Sequence, residues 1–246
     1  MLDWNTLDTV LLDMDGTLLD LHFDTYFWLE HLPARYAQAH GLEPRLAKKR
    51  LIERIMREQG TLNWYCVDYW SEQLGVDIAA LKAEIVHKVG FRPHVPDFLQ
   101  ALQQQGLRVV IVTNAHQKSL QLKLQHTGLD RYVNRILSTH DFGLPKEEVA
   151  FWTLLQQQEP FDPARTLLID DSLAVLRSAR DYGIAQLLSI LQPDSQQPLR
   201  TIDEFNAIHH FDEIKPTIQA DSRQWLHQSS DEFNAISSDF DEIKPT

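Results

Sequence analysis

The run Val10-Leu11-Leu12, followed at once by Asp13-Met14-Asp15-Gly16-Thr17, constrains this chain more than any other stretch. A short uninterrupted apolar run reads as a strand buried on both faces. Such a strand needs a layer of structure on either side of its sheet. Two carboxylates one residue apart then follow. Acids held just past a buried strand are costly unless they bind a cation or share a proton. Gly16 permits a tight turn and a close approach of backbone to a ligand. Taken alone, the same residues also make an ordinary polar loop, so the rest of the chain decides between the two readings.

The first strand is expected over residues 8–14. Residues 20–89 contain no convincing strand. Phe27, Trp28 and Leu29 with Leu32 and Tyr36, then Leu46, Leu51 and Ile55, then Trp64, Val67, Trp70 and Leu74, recur at helical spacings. Gly41, Gly60 and Gly75 suit breaks between these helices. Pro93 and Pro96 mark a return linker that resists helix continuation. From there the pattern alternates. Helices are expected at 97–105, 117–126, 147–158 and 173–182. Strands are expected at 107–112, 135–138, 166–169 and 184–188. That alternation predicts an α/β fold: a Rossmann-like parallel sheet with helices on both faces, interrupted by a helical insertion. The expected division is a core of residues 1–19 and 90–217, a helical insertion of 20–89, and an acidic C-terminal extension of 218–246.

The extension repeats earlier sequence. Asp203-Glu204-Phe205-Asn206-Ala207-Ile208 returns at 231–236, and Phe211-Asp212-Glu213-Ile214-Lys215-Pro216-Thr217 returns at 240–246. Two units are too few for a solenoid. The first copy is expected to dock on the core.

Charge and cysteine content narrow the function. The net charge of −12 disfavours binding to nucleic-acid polymers. Much of it sits in residues 201–246, where ten acids face three Lys/Arg. The single cysteine, Cys66, excludes an intrachain disulfide and a cysteine-rich zinc site, and reads as a small core residue. The eleven histidines are scattered, without zinc-ligand spacing. No leader-like segment and no run long enough to span a membrane is seen, so a cytoplasmic protein without a membrane partner is expected.

In parallel α/β sheets, ligands sit beyond the carboxyl ends of the strands. Asp13, Asp15, Thr113, Asn114, Asp170 and Asp171 all fall at such ends. Asp13, Asp15 and Asp170, with Asp171 beside them, form an acidic cluster suited to Mg²⁺, a hard ion that takes carboxylates, water and substrate phosphate. Mn²⁺ suits the same oxygen set. Thr113 offers a hydroxyl and Asn114 an amide for a phosphate oxygen, and Lys146 adds a point positive charge. Singly each has a plain explanation: a solvated lysine, a turn, a helix cap. Jointly they are the parts of phosphoryl transfer. One carboxylate is then a candidate nucleophile and another a candidate general acid and base.

These motifs resemble those of the haloacid dehalogenase superfamily of phosphatases. Asp13-Met14-Asp15-Gly16-Thr17 is similar to its first motif, Thr113 to its second, Lys146 to its third and Asp170-Asp171 to its fourth. The resemblance implies that Asp13 is the nucleophile and a metal ligand. It implies that Asp15 is the general acid/base and binds the metal through its carbonyl. Thr113, with Asn114, and Lys146 would bind the phosphoryl group, Asp170 would ligate Mg²⁺, and Asp171 would support it. Thr61-Leu62-Asn63-Trp64-Tyr65-Cys66, Asp68-Tyr69-Trp70-Ser71-Glu72-Gln73-Leu74-Gly75 and Leu137-Ser138-Thr139-His140 further resemble the bacterial GMP/IMP 5′-nucleotidase branch. That implies a Mg-dependent phosphomonoesterase acting on purine 5′-nucleotides through an aspartyl-phosphate, with residues 20–89 as an inserted α-helical cap that sets specificity. The enzymatic alternative is a phosphatase or phosphomutase for sugar phosphates or another small metabolite. A phospho-receiver or an idle binding scaffold is the remote alternative. Oligomeric state is left open.

Overall fold

The computed structural model describes residues 2–216. Six strands form one sheet: β1 (Thr9–Leu12), β2 (Arg108–Thr113), β3 (Arg135–Ser138), β4 (Thr166–Ile169), β5 (Gln186–Ile190) and β6 (Ala207–Ile208). Their spatial order is β3-β2-β1-β4-β5-β6, and every neighbouring pair is parallel. The strand carrying the acid pair therefore lies inside the sheet. All four residues of β1 and of β4 are buried, which explains why neither shows a polar alternation.

Side chains of β1 divide between two cores. Val10 and Leu12 join the larger one, with Phe98, Leu99 and Leu102 of α7 (Val95–Gln104) and Leu120 of α8 (Gln117–Thr127). Leu11 joins the other, with Phe151, Trp152 and Leu155 of α9 (Val149–Gln158) and Val175, Leu176 and Ala179 of α10 (Leu173–Tyr182). Period-two alternation along the strand thus feeds two helical layers.

Between β1 and α7 the described chain is helical: α1 (His22–Tyr26), α2 (Leu32–His40), α3 (Pro44–Met56), α4 (Leu62–Tyr65), α5 (Val67–Leu74) and α6 (Ile78–Glu84). A π-helical turn over Phe27–His31 joins α1 to α2. This stretch leaves and returns at one place. The Asp20 amide donates to the Gly90 carbonyl at 2.9 Å, the Arg92 amide to the Leu18 carbonyl at 2.9 Å, and Leu19 bridges Phe91 antiparallel. Phe23, Phe27, Trp70, Leu74 and Ile78 from it pack in the larger core. Residues up to Pro216 form one compact unit.

Several elements differ from expectation. Helix α7 starts at Val95, so Pro96 lies in its first turn, where a missing N–H costs nothing. The last long strand is shifted by two residues, to Gln186–Ile190. Strand β6, only two residues long, is too short to show periodicity. Cys66 is half-buried rather than in the core; it caps α5, its Sγ accepting the Tyr69 amide at 3.4 Å. The first copy of the repeated segment does dock: Phe211 is fully buried, its ring centroid 4.7 Å from that of Phe98. The second copy, with the rest of 218–246, lies outside the described residues. No described helix is long and apolar enough to cross a membrane.

Candidate active site

Strand register brings the first and fourth motifs together. Leu12 pairs with Ile169, so the next residues, Asp13 and Asp170, stand side by side. The Asp13 amide continues the ladder, donating to the Ile169 carbonyl at 3.0 Å. Lys146 reaches both acids. Its Nζ donates to Asp13 Oδ1 at 2.6 Å and to Asp170 Oδ2 at 2.7 Å. All three residues are buried. Burial alone would lower the Lys146 pKa, but Asp13 and Asp170 outweigh it and hold the ammonium charged. Burial, reinforced by Asp13 and opposed by Lys146, raises the Asp170 carboxyl to about 7.

Gly16 sets the third acid. Its φ of +88° is left-handed, and a Cβ there would stand 2.8 Å from Asp171 Cγ. The glycine thus lets the Asp171 carboxyl pack against the turn after β1. Burial, with Asp13 and Asp170 nearby, raises the Asp171 pKa well above its ordinary value. Asp13, Asp170 and Asp171 offer carboxylate oxygens within 4.8 Å of one another. Asp13 Oδ2 is buried with no hydrogen-bond partner. An all-oxygen donor set with an orphaned buried oxygen and two acids reluctant to ionise fits a hard divalent cation.

Asp15 faces a different partner. Lys123 Nζ lies 2.7 Å from Asp15 Oδ1 and 2.6 Å from Asp24 Oδ2, and Lys82 Nζ lies 2.5 Å from Asp24 Oδ1. Both lysines are buried. The chain Asp15–Lys123–Asp24–Lys82 is neutral overall and links the turn after β1 to α8, α1 and α6. Burial raises the Asp15 carboxyl to about 6 against the pull of Lys123. For Asp24 the two lysines win over burial and hold it far below its ordinary value.

Thr113 and Asn114 extend from β2. Thr113 Oγ1 accepts the Ala115 amide at 3.0 Å. Asn114 is more engaged than its sequence context suggests. Its Oδ1 accepts the Lys146 amide at 3.0 Å, and its Nδ2 donates to Glu147 Oε2 at 3.0 Å. Tyr65, from α4, donates to Glu147 Oε1 at 2.7 Å. Asp170-Asp171-Ser172 carries both readings offered for it: Ser172 caps α10, its amide bonds Asp170 Oδ1 at 2.8 Å, and the acids face the site. A cavity of about 550 Å³ lies over these groups. Asp13, Asp15, Thr113, Asn114, Lys146, Asp170 and Asp171 all line it, and Trp28, Met56 and Trp64 line its helical side.

A family model for haloacid dehalogenase-like hydrolases matches residues 7–183, a span that holds every one of these groups. The chain belongs to that family. Among haloacid dehalogenase-like relatives, the GMP/IMP nucleotidase YrfG of Escherichia coli (strain K12) is 45% identical over 192 residues, covering 78% of this chain and 86% of the relative. The N-acetylmuramic acid 6-phosphate phosphatase of Pseudomonas aeruginosa is 27% identical over 185 residues, covering 72% and 79%. The crystal structure of a HAD phosphatase from Thermococcus onnurineus shares the fold, with a TM-score of 0.71 and 20% identity over 85% of this chain and 96% of that one.

Sequence reading missed Asp24, Lys82, Lys123, Tyr65 and Glu147. For Lys123 a signal was present. It stands at helical spacing from Leu120 on the buried face of α8, where a lysine requires an acid partner. Asp24 and Lys82 lie alone on elements far apart in sequence and carry no local pattern; Glu147 follows Lys146 and Tyr65 lies in the Thr61–Cys66 stretch, but nothing local pairs the two.

Proposed function

We propose that this chain is a Mg-dependent phosphomonoesterase that hydrolyses purine 5′-nucleotides such as GMP and IMP through an aspartyl-phosphate. The observation that carries the reading is the single lysine bonded to acids at two strand ends, with the unpartnered Asp13 Oδ2 beside it. Similarity to the E. coli nucleotidase supports the substrate.

Asp13 attacks phosphorus, and the bond from phosphorus to the 5′ oxygen breaks. Asp15, which burial disposes to hold a proton, donates it to the departing oxygen. The Asp15 carboxylate next takes a proton from water, whose oxygen attacks the phosphoryl group, and Asp13 is released with inorganic phosphate. Lys146 and Thr113 hold the phosphoryl oxygens, and Asn114 fixes the backbone of Lys146. Asp13, Asp170 and the Asp15 carbonyl would hold Mg²⁺, with Asp171 alongside; bound there, the ion offsets charge on the phosphoryl oxygens.

Residues 20–89 act as a cap over a core of 1–19 and 90–217. The paired backbone bonds at Asp20–Gly90 and Leu18–Arg92 are the hinge. Trp28 and Trp64 are among the aromatic residues that line the cavity and could stack on a purine, and 550 Å³ suits a mononucleotide. This reading places the enzyme in the cytoplasm, the compartment of nucleotide pools.

The test is phosphate release from a panel of nucleoside monophosphates and sugar phosphates, N-acetylmuramic acid 6-phosphate included, with Mg²⁺. Purine 5′-nucleotides should lead the panel, and Asp13→Asn should lose on the order of 10⁴ in rate or more. Retained turnover in Asp13→Asn would remove the nucleophile. A sugar phosphate leading the panel would remove the nucleotide reading while leaving the mechanism standing.

A further inference from the structure

A second group of ligand-type side chains lies outside the carboxylate site. Cys66, at the junction of α4 and α5, meets His116 at the start of α8 and His140 just after β3. One ligand atom from each lies within 4.8 Å of the other two. The two imidazoles stand edge to face, with ring centroids 4.9 Å apart. The phosphatase chemistry above uses none of the three.

We propose that Cys66, His116 and His140 form a site for a thiophilic transition-metal ion, zinc in the first instance, that ties the α4–α5 junction to the strand-end loops of the sheet. Two observations carry this. The donor set is one thiol and two imidazoles, which suits zinc and leaves a fourth tetrahedral position open to water or an anion. His140 Nε2 is buried and has no hydrogen-bond partner. Burial holds both imidazoles below their ordinary pKa, His140 at about 4, so both are neutral ligands at physiological pH.

Loading has a defined chemical consequence. The Cys66 thiol gives up its proton to solvent as the metal–sulfur bond forms, so zinc binding releases protons. His116 now accepts the Lys118 amide at Nδ1, at 3.3 Å. A metal at Nδ1 displaces that amide, and a metal at Nε2 needs Nδ1 protonated and displaces it too. Either way α8 exchanges one long cap bond for a coordinate bond. Asp68 Oδ2 stands 3.7 Å from His116 Nε2 and Lys118 pairs with the same carboxylate, so that acid is already partly neutralised.

His116 also lines the cavity, and Asn114 lies two residues before it in the loop after β2. On the cap reading above, zinc would therefore hold the cap's α4–α5 junction against the core and slow turnover. The site itself does not depend on that reading.

Cys66 is the chain's only cysteine, so a thiolate–metal signal has one possible source. The experiment uses the full chain in saturating Mg²⁺, which fills the all-oxygen site. It is titrated with Co²⁺ as the spectroscopic stand-in, then with Zn²⁺ in competition. The expected result is one equivalent of Co²⁺ with tetrahedral visible absorption and a thiolate-to-cobalt charge-transfer band, both erased by Zn²⁺. Cys66→Ser should lose the charge-transfer band, and His140→Gln should weaken Co²⁺ and Zn²⁺ binding at least tenfold. Both variants should keep their Mg²⁺-supported turnover, which shows that they fold. Zinc inhibition that persists unchanged in Cys66→Ser would assign it to the carboxylate site. That result, or a wild-type chain with no charge-transfer band in Mg²⁺, would overturn the proposal. If the panel test fails to show phosphatase activity, the absorption readout still decides the metal site, with the folded state of each variant read from its near-ultraviolet circular dichroism.

Discussion

Replacing Lys123 with methionine tests the buried relay beside Asp15. Lys123 is 1% exposed and its ammonium touches two carboxylates, at 2.7 and 2.6 Å. In Lys123→Met, Asp24 keeps Lys82 at 2.5 Å, so the charge left without a partner is that of Asp15. Removing one member of a buried ion pair costs about 3–5 kcal/mol, most of it from the stranded charge. For a domain of this size that is a fall of about 6–20 °C in Tm. The assay is urea unfolding in EDTA, so that metal binding does not contribute. The sign with pH is defined. Without Lys123, burial lifts the Asp15 carboxyl further above its unfolded value, so protonation relieves the penalty. The deficit relative to wild type should be larger at pH 8 than at pH 5.5. Adding Asp15→Asn removes the stranded charge and leaves the Asp24–Lys82 pair intact, so the double variant should be more stable than Lys123→Met alone at pH 8. A loss under about 1 kcal/mol, the range of exposed pairs, would show that the network is solvated and the argument wrong. So would a double variant no more stable than the single one.

Two further outcomes follow from geometry already described. Gly16→Ala forces a side chain into a left-handed backbone position and against the Asp171 carboxyl, 2.8 Å away; a loss of about 1–3 kcal/mol in urea unfolding is expected, together with weaker Mg²⁺ activation measured as a raised half-saturating concentration. Glu159 is buried and binds Arg108 at 2.5 Å and Arg135 at 2.9 Å. Burial raises its pKa, yet the two arginines prevail and hold it below the ordinary value. Its stabilisation is therefore present above the unfolded pKa of about 4.3 and lost as pH falls through the folded pKa. Glu159→Gln should be less stable than wild type at pH 7, and the gap should close below pH 4 in a thermal melt.

Much of the fold was legible because its signals are local. A strand buried on both faces must be apolar throughout, so β1, β2 and β4 stood out as runs, and the helices between them as spacings of three and four. The motifs were legible for the same reason: Asp13-Met14-Asp15, Thr113-Asn114, Lys146 and Asp170-Asp171 sit at strand ends or in the loop that opens a helix. Where signals are short or displaced the reading slipped. A two-residue strand has no period, Pro96 marks a helix's first turn as readily as a break, and Cys66 among aromatics reads as core although it caps a helix.

The sequence alone determined the alternation of strand and helix, the helical insertion and the acid-rich strand ends, because each is written in neighbouring residues. Only the tertiary structure decided which charges meet. Register set Asp13 beside Asp170, and Gly16 admitted Asp171 to the same turn. Asp15 belongs to Lys123, Asp24 and Lys82, which come from three helices spread over more than a hundred residues of chain. Cys66, His116 and His140, separated by 50 and 24 residues, converge because α5 lies over the loops after β2 and β3. Ion pairing and ligation depend on separations of a few ångströms, and chain folding, not sequence spacing, sets those separations.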